Sequence, residues 1–505
     1  MTELDHRGRW LALFVLCSGS LMIVLDSTIV NVALPSIRED LGFSESSLAW
    51  VVNAYLLTFG GFLLLGGRLG DLFGHRRLFV GGLTLFTAAS LACGLASSQT
   101  FLVAARAVQG LGGAVVSVVA FSIVMTLFTE PAERTKAMGV IGFVSAGGGS
   151  VGVLAGGVLT DLLDWHWIFL VNIPVGVAVI AASLVLLPGG SGLGAAKVDV
   201  AGAVTVTTAL MTAVYAIVNG NEAGWASRQT LGLLAVSVVL LVAFLVIEHR
   251  SAAPLVPLSL FRLRSVAVAN VVGVLWAAAM FAWFFLSALY LQLVLGYDPL
   301  QVGLAFLPSN LIMMAFSLGL SAKMVMRFGT RVPLALGLAI SSVGLVLFSR
   351  APVDGTFVTD VLPAMLLLGI GAGMAFNPVL LSAMSEVEPK DAGLASGVVN
   401  TSFMMGGALG LAVLASLAAW RTGDLVAGGT EQVAALNSGY QVAFLAGAVA
   451  ALAAGVIGGV FLRTVPMSDP HAAGAPADAG SLPGPRDERD QRDERDERDD
   501  EYARV

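Results

Sequence analysis

The sequence predicts an all-α integral membrane protein: two six-helix bundles with two further transmembrane helices inserted between them, fourteen spans in all, and both termini cytoplasmic. Three observations predict it. Of 505 residues, 57% are hydrophobic and 12% charged, against about 25% charged in soluble domains. Apolar runs of about the 20 residues that cross a bilayer recur from residue 11 to residue 463. The lysines and arginines between those runs fall mostly on alternate sides.

The runs lie at 11–33, 48–66, 78–97, 101–125, 137–159, 168–187, 200–219, 230–248, 266–292, 302–325, 332–349, 358–381, 394–418 and 438–463. The 59 glycines and a mean hydropathy of +0.86 suit helices packed in lipid, where small residues let backbones approach. The first run, from Trp10, follows a short basic flank (His6, Arg7, Arg9) and is too long for a signal h-region, so it reads as a retained helix. Cys17 and Cys93 fall inside apolar runs towards opposite faces, and no disulfide framework is expected. Cationic flanks resist translocation. With the N-terminus inside, fifteen lysines and arginines flank the cytoplasmic ends and only Arg38, Arg228, Arg350 and Arg421 the opposite ones, which requires an even number of spans.

Domain organisation follows from an internal echo. Arg68–Arg76 (RLGDLFGHR) resembles Lys323–Arg331 (KMVMRFGTR) at an offset of 255, and TEPAERTKAMG around Pro131 resembles VEPKDAGLASG around Pro389 at an offset of 258. A near-constant offset implies duplicated bundles that rock about a midplane site. The chain therefore divides into a bundle at 1–187, a linker with the two extra helices at 188–250, a second bundle at 251–463 and a tail at 464–505. Twelve acids and six arginines follow Arg463, a composition expected to be disordered. A solvated tail and a partner-binding tail both remain open.

Four motifs carry a family resemblance. Gly67–Leu78 (GRLGDLFGHRRL), Leu102–Ala114 (LVAARAVQGLGGA), Leu25–Pro35 (LDSTIVNVALP) and Asp164–Pro174 (DWHWIFLVNIP) together resemble the major facilitator superfamily, in its fourteen-span drug:proton antiporter branch. Two positions depart from the pattern: Leu72 follows Asp71 where a basic residue is usual, and Val153 replaces the helix-5 proline.

Asp26 and Arg106 are the charged residues clearly inside apolar runs, where each charge costs at least about 2.5 kcal/mol. At about 1.5 Å per residue their depths match, so they could share one layer. A carboxylate alternately paired with an arginine and released from it changes its hold on a proton, which is what proton coupling requires. The resemblance implies substrate or proton roles for both; a permanent structural ion pair is the alternative. The resemblance further implies a conformational latch at Gly67, Asp71, Gly74, His75, Arg76 and Arg77, which topogenic charge alone would also explain. Gly152, Gly156 and Gly157 are expected to let helix 5 pack and gate. Gly147–Gly152 formally matches G-x-G-x-x-G but lies in an apolar helix with no preceding strand, so a nucleotide is not expected.

Polar groups interrupting apolar helices are cavity candidates: Asn31, Asn53, Tyr55, Gln109, Gln292, Asn310, Asn377 and Asn400, with Trp276, Phe281, Trp283 and Met314 as walls. Interhelical hydrogen bonding is their alternative role. No Cys/His cluster or Walker A sequence occurs, so no metal, cofactor, enzymatic activity or nucleic-acid partner is expected. The expected function is proton-driven export of small hydrophobic or cationic organic compounds from the cell membrane. Export of a lipid or siderophore, nutrient uptake, and a receptor or scaffold working through the acidic tail remain the alternatives.

Overall fold

A computed structural model describes residues 5–44, 46–189, 199–251, 254–316, 320–387 and 392–462; the acidic tail lies outside them. The described chain is helical. The first group comprises α1 (His6–Leu41), α2 (Trp50–Phe73), α3 (His75–Gly94), α4 (Gln99–Leu127), α5 (Pro131–Leu162), α6 (Trp167–Leu170) and α7 (Asn172–Leu186). Then come α8 (Val200–Ala223), α9 (Arg228–Arg250), α10 (Arg264–Leu289), α11 (Pro299–Ala315), α12 (Ser321–Phe328), α13 (Arg331–Phe348), α14 (Leu362–Met384), α15 (Ala392–Ala427) and α16 (Gln432–Phe461).

Short polar residues start several of these helices by accepting the otherwise orphaned backbone N–H groups of the first turn. Asp5 caps α1 through Gly8 N at 2.8 Å, Ser227 caps α9 through Thr230 N at 3.1 Å, and Asp298 with Gln301 forms a reciprocal capping box on α11. Twelve of the described helices, counted by length and composition, can cross a membrane; α11, with 17 residues, is a shorter apolar helix. Several boundaries differ from the sequence expectation, three of them near the site and the seams. α1 runs through Pro35 to Leu41, the sixth run breaks at Val171 into α6 and α7, and the ninth ends in a π turn at Tyr290–Val294.

Within each part the main packing partners are mostly not chain neighbours. α1 packs on α5, α4 and α7, and α4 on α2 and α3; α10 packs on α15, α16 and α14, and α13 on α14 and α16. Two seams join the parts, α5 against α11 and α2 against α15, and α8 leans on both helices of the second seam. At one end of the molecule Gly42 follows α1, where Gln99 Nε2 donates to the carbonyls of Leu41 and Gly42 at 3.0 and 2.8 Å. At the other, Arg9 at the start of α1 pairs with Glu133 at the start of α5 (2.8 Å).

Gly74 marks that second end. The stretch expected as a loop is a single-residue joint: Gly67 and Asp71 belong to the last turns of α2, and His75, Arg76 and Arg77 open α3. Only Gly74 leaves the helical path, at φ +87°, ψ 129°, a left-handed region in which a Cβ would be strained. Gly329 sits at the corresponding joint between α12 and α13 with φ +71°, so the echoed sequences adopt related turns.

Candidate functional site

The site is built on Asp26, which α1 carries at mid-helix with no exposed surface. Arg106 and Gln109, one turn apart on α4, approach it from the side. Arg106 Nη1 donates to Asp26 Oδ2 at 2.6 Å and to Gln109 Oε1 at 2.7 Å, while its Nε donates to the Val51 carbonyl of α2 at 3.0 Å. Asp26 Oδ1 accepts from Gln109 Nε2 at 2.7 Å and from Asn172 Nδ2 of α7 at 3.0 Å. Ser90 of α3 closes the ring. Its hydroxyl accepts from Gln109 and Asn172 at 3.0 and 2.9 Å and donates to the Phe169 carbonyl at 3.0 Å. The guanidinium carbon lies 4.4 Å from the Tyr55 ring centroid and 5.6 Å from that of Phe169.

The electrostatics follow from that geometry. An isolated charge in this apolar interior is prohibitively costly, and a pair repays the cost only when its remaining hydrogen-bonding capacity is met. Here the carboxylate receives three donors, one cationic, from two helices, and the π faces of Tyr55 and Phe169 add cation–π attraction. The arrangement gives each Asp26 carboxylate oxygen at least one donor. A protonated Asp26 would point a hydroxyl at amide nitrogens that only donate, so proton uptake there requires the amides or the arginine to move.

Sequence expectation and geometry meet in Asp26 and Arg106, which the fold brings into direct contact. Gln109 and Tyr55, expected as cavity residues, touch this cluster: Gln109 bonds Asp26 and Arg106, and the Tyr55 ring lies against the guanidinium. Ser90, Asn172 and the Val51 and Phe169 carbonyls were not foreseen. Asn172 had a signal, since it interrupts an apolar run inside the quoted DWHWIFLVNIP; a serine or a carbonyl within a helix has none.

The other cavity candidates disperse. Asn31 donates to the Thr28 carbonyl one turn back at 3.3 Å, and Gln292 reaches across from the π turn after α10 to the Val32 carbonyl of α1 at 2.8 Å. Asn53 is fully buried with neither amide atom hydrogen-bonded, Asn310 is buried on α11, and Asn377 is half-buried on α14. Asn400 is exposed on α15 and lines a small apolar cavity with Trp276, Phe376, Val399 and Phe403. Trp276 and Trp283 are fully buried with unpaired indole N–H groups.

The helix-5 glycines mark close helix crossings. A Cβ on Gly152 would overlap the Thr28 hydroxyl and sit 3.0 Å from the Leu25 carbonyl; on Gly156 it would lie 2.6 Å from the Ile29 carbonyl, and on Gly157 2.6 Å from that of Pro299. The first two let α5 lie directly on the stretch of α1 that flanks Asp26, and the third lets it meet α11. At the Gly74 joint, Arg76 Nη2 donates to the Leu184 carbonyl at the end of α7, Arg77 is exposed, and His75 lies beside Gly70. A Cβ on Gly67 would touch Val118 of α4 at 3.0 Å. The Asp71 side chain lies outside the described part of the structure. Among the described residues no three His, Cys, Asp or Glu side chains gather as a metal site.

Many membrane-length helices around a buried ion pair define a polytopic membrane protein, multi-pass in the cell membrane. Residues 16–411 match the Major Facilitator Superfamily, and the chain belongs to that family; it is a membrane transporter. It is 40% identical over 450 residues to the cephamycin export protein of Amycolatopsis lactamdurans, covering 88% of this chain and 91% of that one. It is 39% identical over 442 residues to the puromycin resistance protein of Streptomyces alboniger (86% and 88% covered). A lincomycin resistance protein of Streptomyces lincolnensis is 37% identical over 420 residues (81% and 85% covered).

Proposed function

We propose that this chain is a proton-coupled exporter of small hydrophobic or cationic organic compounds, antibiotics among them, working by alternating access between two six-helix bundles. In this reading fourteen helices span the membrane, α8 and α9 being the inserted pair, with the Gly74 end and both termini in the cytoplasm. The observation that carries it is the fully buried Asp26–Arg106 pair held by Gln109 and Asn172. A charge pair this deep costs the fold energy, and a proton carrier that alternates between arginine and solvent gives that cost a use. Export is supported by relatives whose names describe antibiotic export or resistance, at 37–40% identity. The driving force is the proton gradient and no cofactor is required; a partner for the tail at 464–505 remains a separate proposal.

The test is a resistance profile of cells with and without the protein over a panel of antibiotics and dyes, followed by uptake of the best substrate into proteoliposomes. Wild type should concentrate that substrate under an imposed pH gradient and stop when an ionophore collapses it. Asp26→Asn keeps the shape but holds no exchangeable proton, so it should abolish gradient-driven uptake while substrate still binds; Asp26→Glu should retain a part. Uphill transport by Asp26→Asn under the same gradient would remove the carboxylate from coupling.

A further inference from the structure

A buried pair of acids lies at the Gly74 end, at the start of α8 and the end of α9. Behind α9 the chain forms a strap, residues 254–262, ending in the 3-10 turn Leu258–Arg262. Leu255 is buried with Leu65 of α2 and Ala203 of α8, and Leu260 with Val266 of α10 and Val398 of α15. Val256 and Leu64 border both clusters. The strap therefore ties together the ends of four helices, including both members of the α2–α15 seam.

Glu248, in the last turn of α9 and 3% exposed, holds the strap by accepting the Val256 N–H on Oε2 at 3.1 Å, and its buried Oε1 has no partner. Asp199, 8% exposed, caps α8 by accepting the Gly202 N–H on Oδ1 at 2.7 Å, and its buried Oδ2 has no partner either. The two unpaired oxygens converge. A Cβ on Gly202 would lie 2.8 Å from Glu248 Oε1 and 3.1 Å from Asp199 Oδ2, so both look into the gap that this glycine leaves open. Among the described residues, the side chains that α2 and α15 pack against the strap are apolar (Leu65, Leu69, Val398). His249 and Arg262 line the open pocket on whose wall Glu248 sits. Neither they nor Arg250 hydrogen-bonds or ion-pairs with either carboxylate.

Two buried like charges with no described cation paired to either repel strongly, and a single proton converts that repulsion into an O–H···O bond. We propose that Asp199 and Glu248 form a proton-binding site holding one shared proton, and that its loss releases the strap. With the proton in place, Oε2 of Glu248 remains free to accept from Val256. When the proton leaves to the pocket, the second negative charge drives Glu248 out of the gap, the Val256 N–H loses its acceptor, and Leu255 loosens from Leu65. The site is thus a pH-sensitive latch on the α2–α15 seam, separate from Asp26 and independent of what the protein transports.

The test uses the full-length chain in lipid nanodiscs as wild type, Glu248→Gln and Asp199→Asn. Asn still caps α8, and Gln still accepts from Val256, so both variants preserve the local fold. Infrared difference spectra should show a protonated-carboxyl stretch at neutral pH that disappears on alkalinisation in wild type and is missing from both variants. Hydrogen exchange of residues 254–262, corrected for the intrinsic pH dependence of exchange, should accelerate at least tenfold across that same titration in wild type and stay slow in Glu248→Gln. A carboxyl band identical in all three proteins, or a strap whose exchange responds to pH equally in wild type and Glu248→Gln, would overturn the proposal. Neither readout depends on transport, so its failure and that of the exporter reading are distinguishable.

Discussion

Ser90 shows how closely the polar cluster is balanced. A hydroxyl has one proton and two lone pairs, and this one uses all three, on Gln109, Asn172 and the Phe169 carbonyl. Ser90→Ala would leave two buried N–H groups and one buried carbonyl short of a partner, at about 1–3 kcal/mol each. Cys93, a turn further along α3, makes only a long thiol contact with Gln109 at 3.6 Å. Thermal unfolding of the purified protein should therefore show a clearly lower midpoint for Ser90→Ala and a near wild-type one for Cys93→Ala. Equal midpoints for all three proteins would mean that the ring around Asp26 contributes little to holding the helices.

At the scale of an element, α5 depends on having no side chains where it crosses α1. Gly148, Gly152 and Gly156 recur at one-turn spacing, and a Cβ on each would press on Leu21, Thr28 and Ile29 in turn. Gly156→Ala would push α5 off the α1 backbone, and overpacking of this kind costs about 1–3 kcal/mol. Gly149→Ala on the same helix is the control, because its Cβ would meet only a Thr28 methyl at 4.0 Å. In an export assay at matched membrane abundance, Gly156→Ala should lose most activity and Gly149→Ala little. Val153 stands where the resembled helix-5 pattern has a proline; it is buried and α5 passes through it unbroken, its carbonyl 3.0 Å from where a Cβ on Gly303 would lie. The glycines thus supply the close approach between α5 and α11 without a proline.

For the whole molecule, burial separates centre from edge. The apolar stretch of α2 is 78% buried and that of α9 only 11%, so α2 lies in the seam between the halves while α9 faces outward, as a lipid-facing helix does. α8 connects them: Thr207 abuts Gly61 of α2, and Asn221 donates to the Ser416 carbonyl of α15 at 2.8 Å. This placement makes α8 a strut against the α2–α15 seam, with α9 packed behind it. The proposed topology is checked by reporter fusions. Those after Arg264 and at the C-terminus should report cytoplasm, and those near Gly224 and Gly355 the opposite face; an external C-terminus would overturn the fourteen-span reading.

The sequence by itself determined the helical membrane class, the positions of most helices, the turn at Gly74 and its counterpart at Gly329, and that Asp26 and Arg106 are charges set inside apolar runs at matching depth. These are legible because bilayer thickness imposes a run length, positive φ selects glycine, and a charge in an apolar run is rare enough to stand out. Only the tertiary structure decided that Gln109 hydrogen-bonds the carboxylate, that Tyr55 lies against the Arg106 guanidinium, and that Ser90, Asn172 and two backbone carbonyls complete the cluster. It alone brought Asp199 and Glu248 into one gap, although they are 49 positions apart on two helices whose ends read as ordinary. The physical reason is that one-dimensional spacing reports depth and helical face but not which helices touch. Hydrogen-bond satisfaction is a property of neighbours from five or six different elements, and only packing makes them neighbours.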